Sequence, residues 1–175
     1  MNGEYSDALV VFGITGDLAF KKILPALENL EKRGRLPEIL VGVARGGVTR
    51  QALIARLRES LAQHGDGTDP AALRRLEARL QLIDGDYRDD TTFAALRAAL
   101  GSARRPCHYL AIPPSLFAAV ASKLGSSGCA TNARVVVEKP LGRDLSSAQT
   151  INRALQQVFE EQAIYRIDHF LGKEA

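Results

Sequence analysis

Tryptophan is absent from this 175-residue chain, methionine occurs once and cysteine twice. Cys107 and Cys129 stand alone, with neither the spacing of a metal site nor the number of a disulfide framework. Aromatic residues make up 6% of the chain, and none interleaves with a basic run as in a nucleic-acid platform. Net charge of one sign is also scarce: 23 basic against 20 acidic residues leave a formal +3. That excess is too small to argue for a nucleic-acid partner. No apolar run is long enough to cross a bilayer, and the opening "MNGEYSD" has no apolar signal core. These absences set the expectation of a soluble protein of the reducing cytoplasm, without metal, membrane or nucleic acid.

The hydrophobic share of 46% and charged share of 25% are those of an ordinary globular chain, at a length that suits one domain with a real core. Short apolar runs alternate with longer amphipathic ones. Strands are predicted at 8–12, 39–44, 80–83, 107–112, 134–137 and 163–167. Helices are predicted at 18–32, 51–63, 71–79, 93–100, 115–124 and 145–161. Thr49, Asp69 followed by Pro70, Thr91 or Thr92, and Asp144 stand where N-caps belong. Pro25, inside the first helical pattern, predicts a kink or a late helix start. Strands alternating with helices imply parallel pairing and right-handed crossovers. The first, second and fifth apolar runs do not alternate with polar residues, the mark of strands covered on both faces. The fold class is therefore α/β: a doubly wound, Rossmann-like parallel sheet with helices on both faces. In such sheets ligands bind beyond the carboxyl ends of the strands.

Those ends carry the informative residues. Strand one leads into "GITGDLAF", where Gly13, Gly16 and Ala19 form a G-x-x-G-x-x-A variant of the dinucleotide fingerprint. Small residues let the backbone approach a pyrophosphate at a helix N-terminus; a tight turn needing glycine is the plainer alternative. Strand two ends in "VGVARGG" and offers Arg45 where an NAD site would place an acid. A guanidinium suits a 2′-phosphate, so NADP is favoured over NAD; the alternative is a solvated arginine in a glycine loop. Asp86 and Tyr87 follow strand three, either as a border for adenine or as turn residues. Strand four runs into "YLAIPP", whose prolines stiffen a pocket wall. Strand five ends in "VEKPLGRDL", placing Glu138 and Lys139 before Pro140, with a candidate cis peptide between Lys139 and Pro140. Lys139 is either a rigid contact for a reacting hydroxyl or part of a surface pair. The chain closes on "YRIDHFLGKEA". If a helix begins after His169, then His169 and Lys173 share a face and suit a phosphate; the alternative is a capped strand end.

Taken together, "GITGDLAFKK", "VGVARG", "YLAIPP", "VVVEKPLGRDL" and "YRIDHFLGKE" resemble the glucose-6-phosphate dehydrogenase family, in order and spacing, from about Leu9 to the last residue. The resemblance implies oxidation of C1 of glucose 6-phosphate to the lactone, with hydride passing to NADP, at the head of the oxidative pentose phosphate route. It implies a cofactor domain over 1–175 and a further antiparallel α+β domain outside this chain, through which the whole protein forms homo-oligomers. Gly13, Thr15, Gly16, Asp17 and Leu18 would form the pyrophosphate loop. Arg45 would hold the 2′-phosphate, with Asp86 and Tyr87 at the adenosine end. Ala111, Ile112, Pro113, Glu138 and Lys139 would complete the cofactor site. Lys22, Lys139, His169 and Lys173 would bind substrate, and Asp168 would orient a catalytic histidine. Lys139 and Asp168 are thus the catalytic candidates. The general base required for the hydroxyl proton would come from the further domain, since His64 and His108 read as structural, and the chain alone would turn over little or nothing. Three positions depart from the family pattern: Phe170 in place of a common tyrosine, Phe20 in place of a common lysine, and Gly46 in place of a side chain beside Arg45. The competing readings are a stand-alone nucleotide-binding module without turnover and a dehydrogenase of another sugar.

Overall fold

The computed structural model describes residues 5–167. Asp168, His169, Phe170 and Lys173 lie outside the described residues. Among the described residues, six strands form one sheet in the order β3-β2-β1-β4-β5-β6: β1 Ala8–Phe12, β2 Ile39–Ala44, β3 Leu80–Asp84, β4 Pro106–Leu110, β5 Arg134–Glu138 and β6 Ile164–Ile167. Every pairing is parallel, with Phe12 opposite Val43 on one side and Leu110 on the other.

The continuous apolar runs are explained by alternation. In β1, Val10 and Phe12 enter one core layer and Val11 the other. In β2, Val41 and Val43 face the first layer, while Leu40 and Ala44 face the second. The first layer packs against α4 Asp90–Leu100, α5 Phe117–Ser126 and α6 Leu145–Gln156, through residues such as Phe93, Val120 and Leu155. The second packs against α1 Leu24–Lys32, α2 Arg50–His64 and α3 Pro70–Arg79, through Leu27, Leu57 and Leu76. The winding reverses between β1 and β4, which opens a crevice between their carboxyl ends.

Several local expectations hold. The Thr49 side chain accepts from the Ala52 N–H, Asp69 accepts from the Ala71 N–H, and Asp144 forms a reciprocal capping box with Ser147. The late start predicted by Pro25 also holds: a wide π-helical turn over Ala19–Ile23 comes first, and the α-helix starts at Leu24 with Pro25 in its first turn. With no N–H on Pro25, the Phe20 carbonyl accepts instead from the Ser60 hydroxyl. Other expectations need correction. Neither Thr91 nor Thr92 caps α4. The helix starts at Asp90, and Thr92 is buried against Gly85, where an added Cβ would stand 2.3 Å from its hydroxyl. The last helix ends at Gln156 rather than 161, because Phe159 turns into the core and Val158 packs over Gly125. Strand four stops at Leu110, so Ala111 and Ile112 belong to the loop beyond it.

Candidate functional site

At the reversal point the ends of β1 and β4 approach more closely than any side chain allows. Gly13 has φ +78°, and a Cβ there would lie 2.2 Å from the Ala111 carbonyl oxygen. The backbone is pinned on both sides: Gly13 N–H donates to Val43 O at 2.9 Å, and Ala111 N–H to Phe12 O at 3.0 Å. Gly16 N–H then closes the turn on Gly13 O at 2.9 Å, and Phe20 N–H donates to Gly16 O at 3.0 Å as the π-helical turn follows.

A cleft of about 300 Å³ opens beside this loop, at the small end of the range for ligand sites. It gathers Gly16, Asp17 and Leu18 from the glycine loop, Ala111, Ile112 and Pro113 from beyond β4, and Glu138 and Lys139 from the end of β5. Residues up to 123 positions apart in sequence are thus brought to one wall. Sequence reasoning missed Phe117, the first residue of α5, which forms the apolar back of the cleft with Leu110. Its signal was its place just after the "PP" of strand four. The Lys139–Pro140 peptide is cis, and Lys139 is exposed at the mouth. Beneath it, the Tyr109 hydroxyl of β4 donates to the Glu138 carboxylate.

A second group of candidates sits at the ends of β2 and β3. Arg45 is exposed, and its guanidinium lies 3.8 Å from the Asp86 carboxylate. The loop it begins is held by Asp84 of β3, whose carboxylate accepts from Gly47 N–H at 2.9 Å. Asp84 thus braces the loop that carries Arg45, through an "IDGD" whose partner only the sheet order reveals. Tyr87 is corrected in its geometry. Its ring is buried edge-on against Phe12, with its hydroxyl toward Val43 O, so it offers no open face for stacking on a base. Burial holds its phenol above the ordinary range.

Thr15 is half-buried within the glycine loop, and Lys22 is exposed on the π-helical turn; neither lines the cleft. Asp17, almost fully exposed, has Arg56 of α2 at 3.9 Å, and the Arg56 guanidinium lies 4.5 Å above the Phe20 ring. No sequence signal points to Arg56, because only the packing of α2 on the π-helical turn brings it there. His64 ends α2 on the surface, edge-on to Phe20, and His108 is fully buried in β4. Among the described residues, no histidine lines the cleft.

A parallel sheet wound in both directions, with a glycine cradle and a cleft at its reversal point, defines a nucleotide-binding α/β domain. The chain belongs to the family of the glucose-6-phosphate dehydrogenase NAD binding domain, whose model matches residues 10–175. It is similar to glucose-6-phosphate 1-dehydrogenase 1 of Mycobacterium bovis, at 42% identity over 98% of this chain and 37% of the relative. The crystal structure of glucose-6-phosphate 1-dehydrogenase from Mycobacterium avium superposes with a TM-score of 0.90 at 43% identity, over 96% of this chain and 37% of that one. A glucose-6-phosphate dehydrogenase in complex with its substrate glucose-6-phosphate superposes with a TM-score of 0.85 at 31% identity, over 99% of this chain and 39% of that one. The chain thus spans little more than a third of the length of these relatives. Family membership assigns a nicotinamide dinucleotide as the cofactor type.

Proposed function

We propose that residues 1–175 are the cofactor-binding domain of a glucose-6-phosphate dehydrogenase, holding NADP along the carboxyl edge of the sheet while C1 of glucose 6-phosphate is oxidised to the lactone. The observation that carries this reading is the convergence of the glycine loop, the "AIP" segment and the Glu138–Lys139 pair on one cleft. The cleft suits a dinucleotide, because small glycine-loop residues and the start of a helix meet at its wall, while Gly13 lets the loop pack directly on the Ala111 carbonyl.

Each residue has a task. The N–H groups after Gly16 face the pyrophosphate, and the helix dipole favours that charge. Arg45, exposed and holding Asp86 only at long range, is suited to the 2′-phosphate that distinguishes NADP from NAD. When bound, the nicotinamide supplies the hydride acceptor. Lys139, held before Pro140, would contact the sugar's reacting hydroxyl, with Lys22 near the meeting point of cofactor and sugar, His169 and Lys173 serving the substrate phosphate, and Asp168 orienting the base. Homo-oligomerisation, the pentose phosphate role and a cytoplasmic site belong to the same reading; no helix among the described residues is long and apolar enough to cross a membrane.

Calorimetric titration with NADP, NAD and glucose 6-phosphate tests the assignment. Arg45→Ala is expected to weaken NADP by about tenfold or more, the worth of a charge-assisted phosphate contact, and NAD much less. Equal losses would remove the 2′-phosphate role. A polypeptide of the relatives' full length should form NADPH in the presence of glucose 6-phosphate. Tight dinucleotide binding without turnover in that longer chain would favour a nucleotide-binding module instead.

A further inference from the structure

Tyr109 has no part in the reading above, yet its hydroxyl holds the carboxylate of Glu138, which lines the cleft. The parallel register sets Tyr109 opposite Val136, two residues before Glu138. Side chains two apart on a strand share a face, so the Glu138 carboxylate returns over Tyr109 and accepts its hydroxyl proton in a hydrogen bond. The Tyr109 ring is half-buried against the layer of α1–α3. Burial, and then the Glu138 carboxylate, hold its phenol well above the ordinary range, so it remains a donor. A single rotamer of Glu138 is thereby selected in a cleft whose other walls include Leu110, Ile112 and Phe117. In such surroundings a fixed charge acts more strongly than in water. The two redox forms of a nicotinamide differ in charge at the ring: the oxidised ring is cationic and the reduced ring neutral.

We propose that Tyr109 is a positioning residue that fixes the Glu138 carboxylate at the Lys139 end of the cleft, so that the domain holds the oxidised dinucleotide in preference to the reduced one. The inference rests on the dinucleotide reading of the site. Lys139 works in the opposite direction, and a clamped carboxylate would keep the local charge from becoming net positive at that end of the cleft, were the cationic ring to bind there.

The test is titration of oxidised and reduced NADP into the chain and into Tyr109→Phe, Glu138→Gln and the double variant. Glu138→Gln is expected to shift the ratio of the two dissociation constants about tenfold against the oxidised form, as for loss of one partly screened charge pair. That is a change of about 30 mV in the potential of the bound two-electron couple. Tyr109→Phe should shift the ratio several-fold in the same direction, and the double variant should match Glu138→Gln, since the hydroxyl acts through the carboxylate. A merely structural hydroxyl would weaken both forms alike, and that result, or an unchanged ratio in Glu138→Gln, overturns the proposal. If Tyr109→Phe fails to fold, the ratio in Glu138→Gln decides alone. An unaltered chain that binds neither form would overturn the dinucleotide reading itself; intact binding with an unchanged ratio overturns only the role of the pair.

Discussion

The carboxyl and amino ends of the sheet are both lined with polar groups, but they handle charge in opposite ways. At the amino end, a groove of about 730 Å³ is bordered by Asp7, Arg104, Arg105, Arg134 and the half-exposed Tyr165. It is more than twice the volume of the cleft at the carboxyl end. Two of its charged side chains are engaged internally: Asp7 accepts from the backbone N–H groups of Arg104 and Arg105, at 2.7 and 2.9 Å, and Arg134 donates to the Ser6 hydroxyl. In a parallel sheet with helical crossovers, helix C-termini gather at this end and present carbonyls, which disfavour anions. The smaller cleft lies where helix N-termini and glycine backbone meet. Volume therefore does not locate the site; the direction of the helices does.

The difference can be broken most severely at Gly13. Gly13→Ala combines a left-handed φ with a clash on a pinned carbonyl, and is expected to cost roughly 3 kcal/mol or more and to abolish dinucleotide binding; chemical denaturation and NADP titration would measure both. Next comes acidification, which acts on the core away from the cleft. Burial pushes the His108 imidazole down to about 4 from 6.5, outweighing its bond to the Cys129 carbonyl. The unfolded chain takes up this proton first as pH falls, so stability is complete above about 6.5 and declines toward 4, by about 3 kcal/mol in all. Denaturant melts at pH 7.5 and 5 should show the loss, and His108→Gln should flatten the slope.

At the amino end, Asp7→Asn should cost about 1 kcal/mol of stability, by weakening two backbone bonds, and leave NADP affinity unchanged. Burial raises the Asp7 carboxyl, but the N–H groups of Arg104 and Arg105 outweigh it and the net direction is down. Its contribution is therefore present above the ordinary carboxylate value and is lost as pH falls below it. The smallest effect is expected for Arg134→Ala, within about 0.5 kcal/mol of neutral and without change in NADP titration. A large loss of NADP affinity in either amino-end variant would show that the two ends are not independent.

The pattern of strands and helices was legible because each element obeys a local rule: caps at Thr49, Asp69 and Asp144, breaks at glycine and proline, and the apolar runs of β1 and β2 buried on two faces; the run of β5, expected to be covered likewise, buries only Val135 and Val137. That the glycine loop, Arg45, the "AIP" segment and the Glu138–Lys139 pair would stand at the carboxyl edge was likewise readable, since strand ends in a parallel sheet fall on one edge whatever the loop sequence. What escaped were residues whose role depends on a neighbour distant in the chain. Asp84 braces Gly47 because β3 lies beside β2; Arg56 meets Asp17 because α2 packs on the π-helical turn; Phe117 closes the cleft because α5 starts at its back. Tyr87, read as either a border for adenine or a turn residue, sits in a turn with its ring in the core.

By its own order of residues, this chain determined an α/β winding and the edge on which polar groups would collect, because backbone conformation and burial periodicity are set within a few residues. Only the tertiary structure decided which of those groups meet. The order β3-β2-β1-β4-β5-β6 is a property of strand pairing, and pairing is selected by the packing of two whole helical layers, not by any one segment.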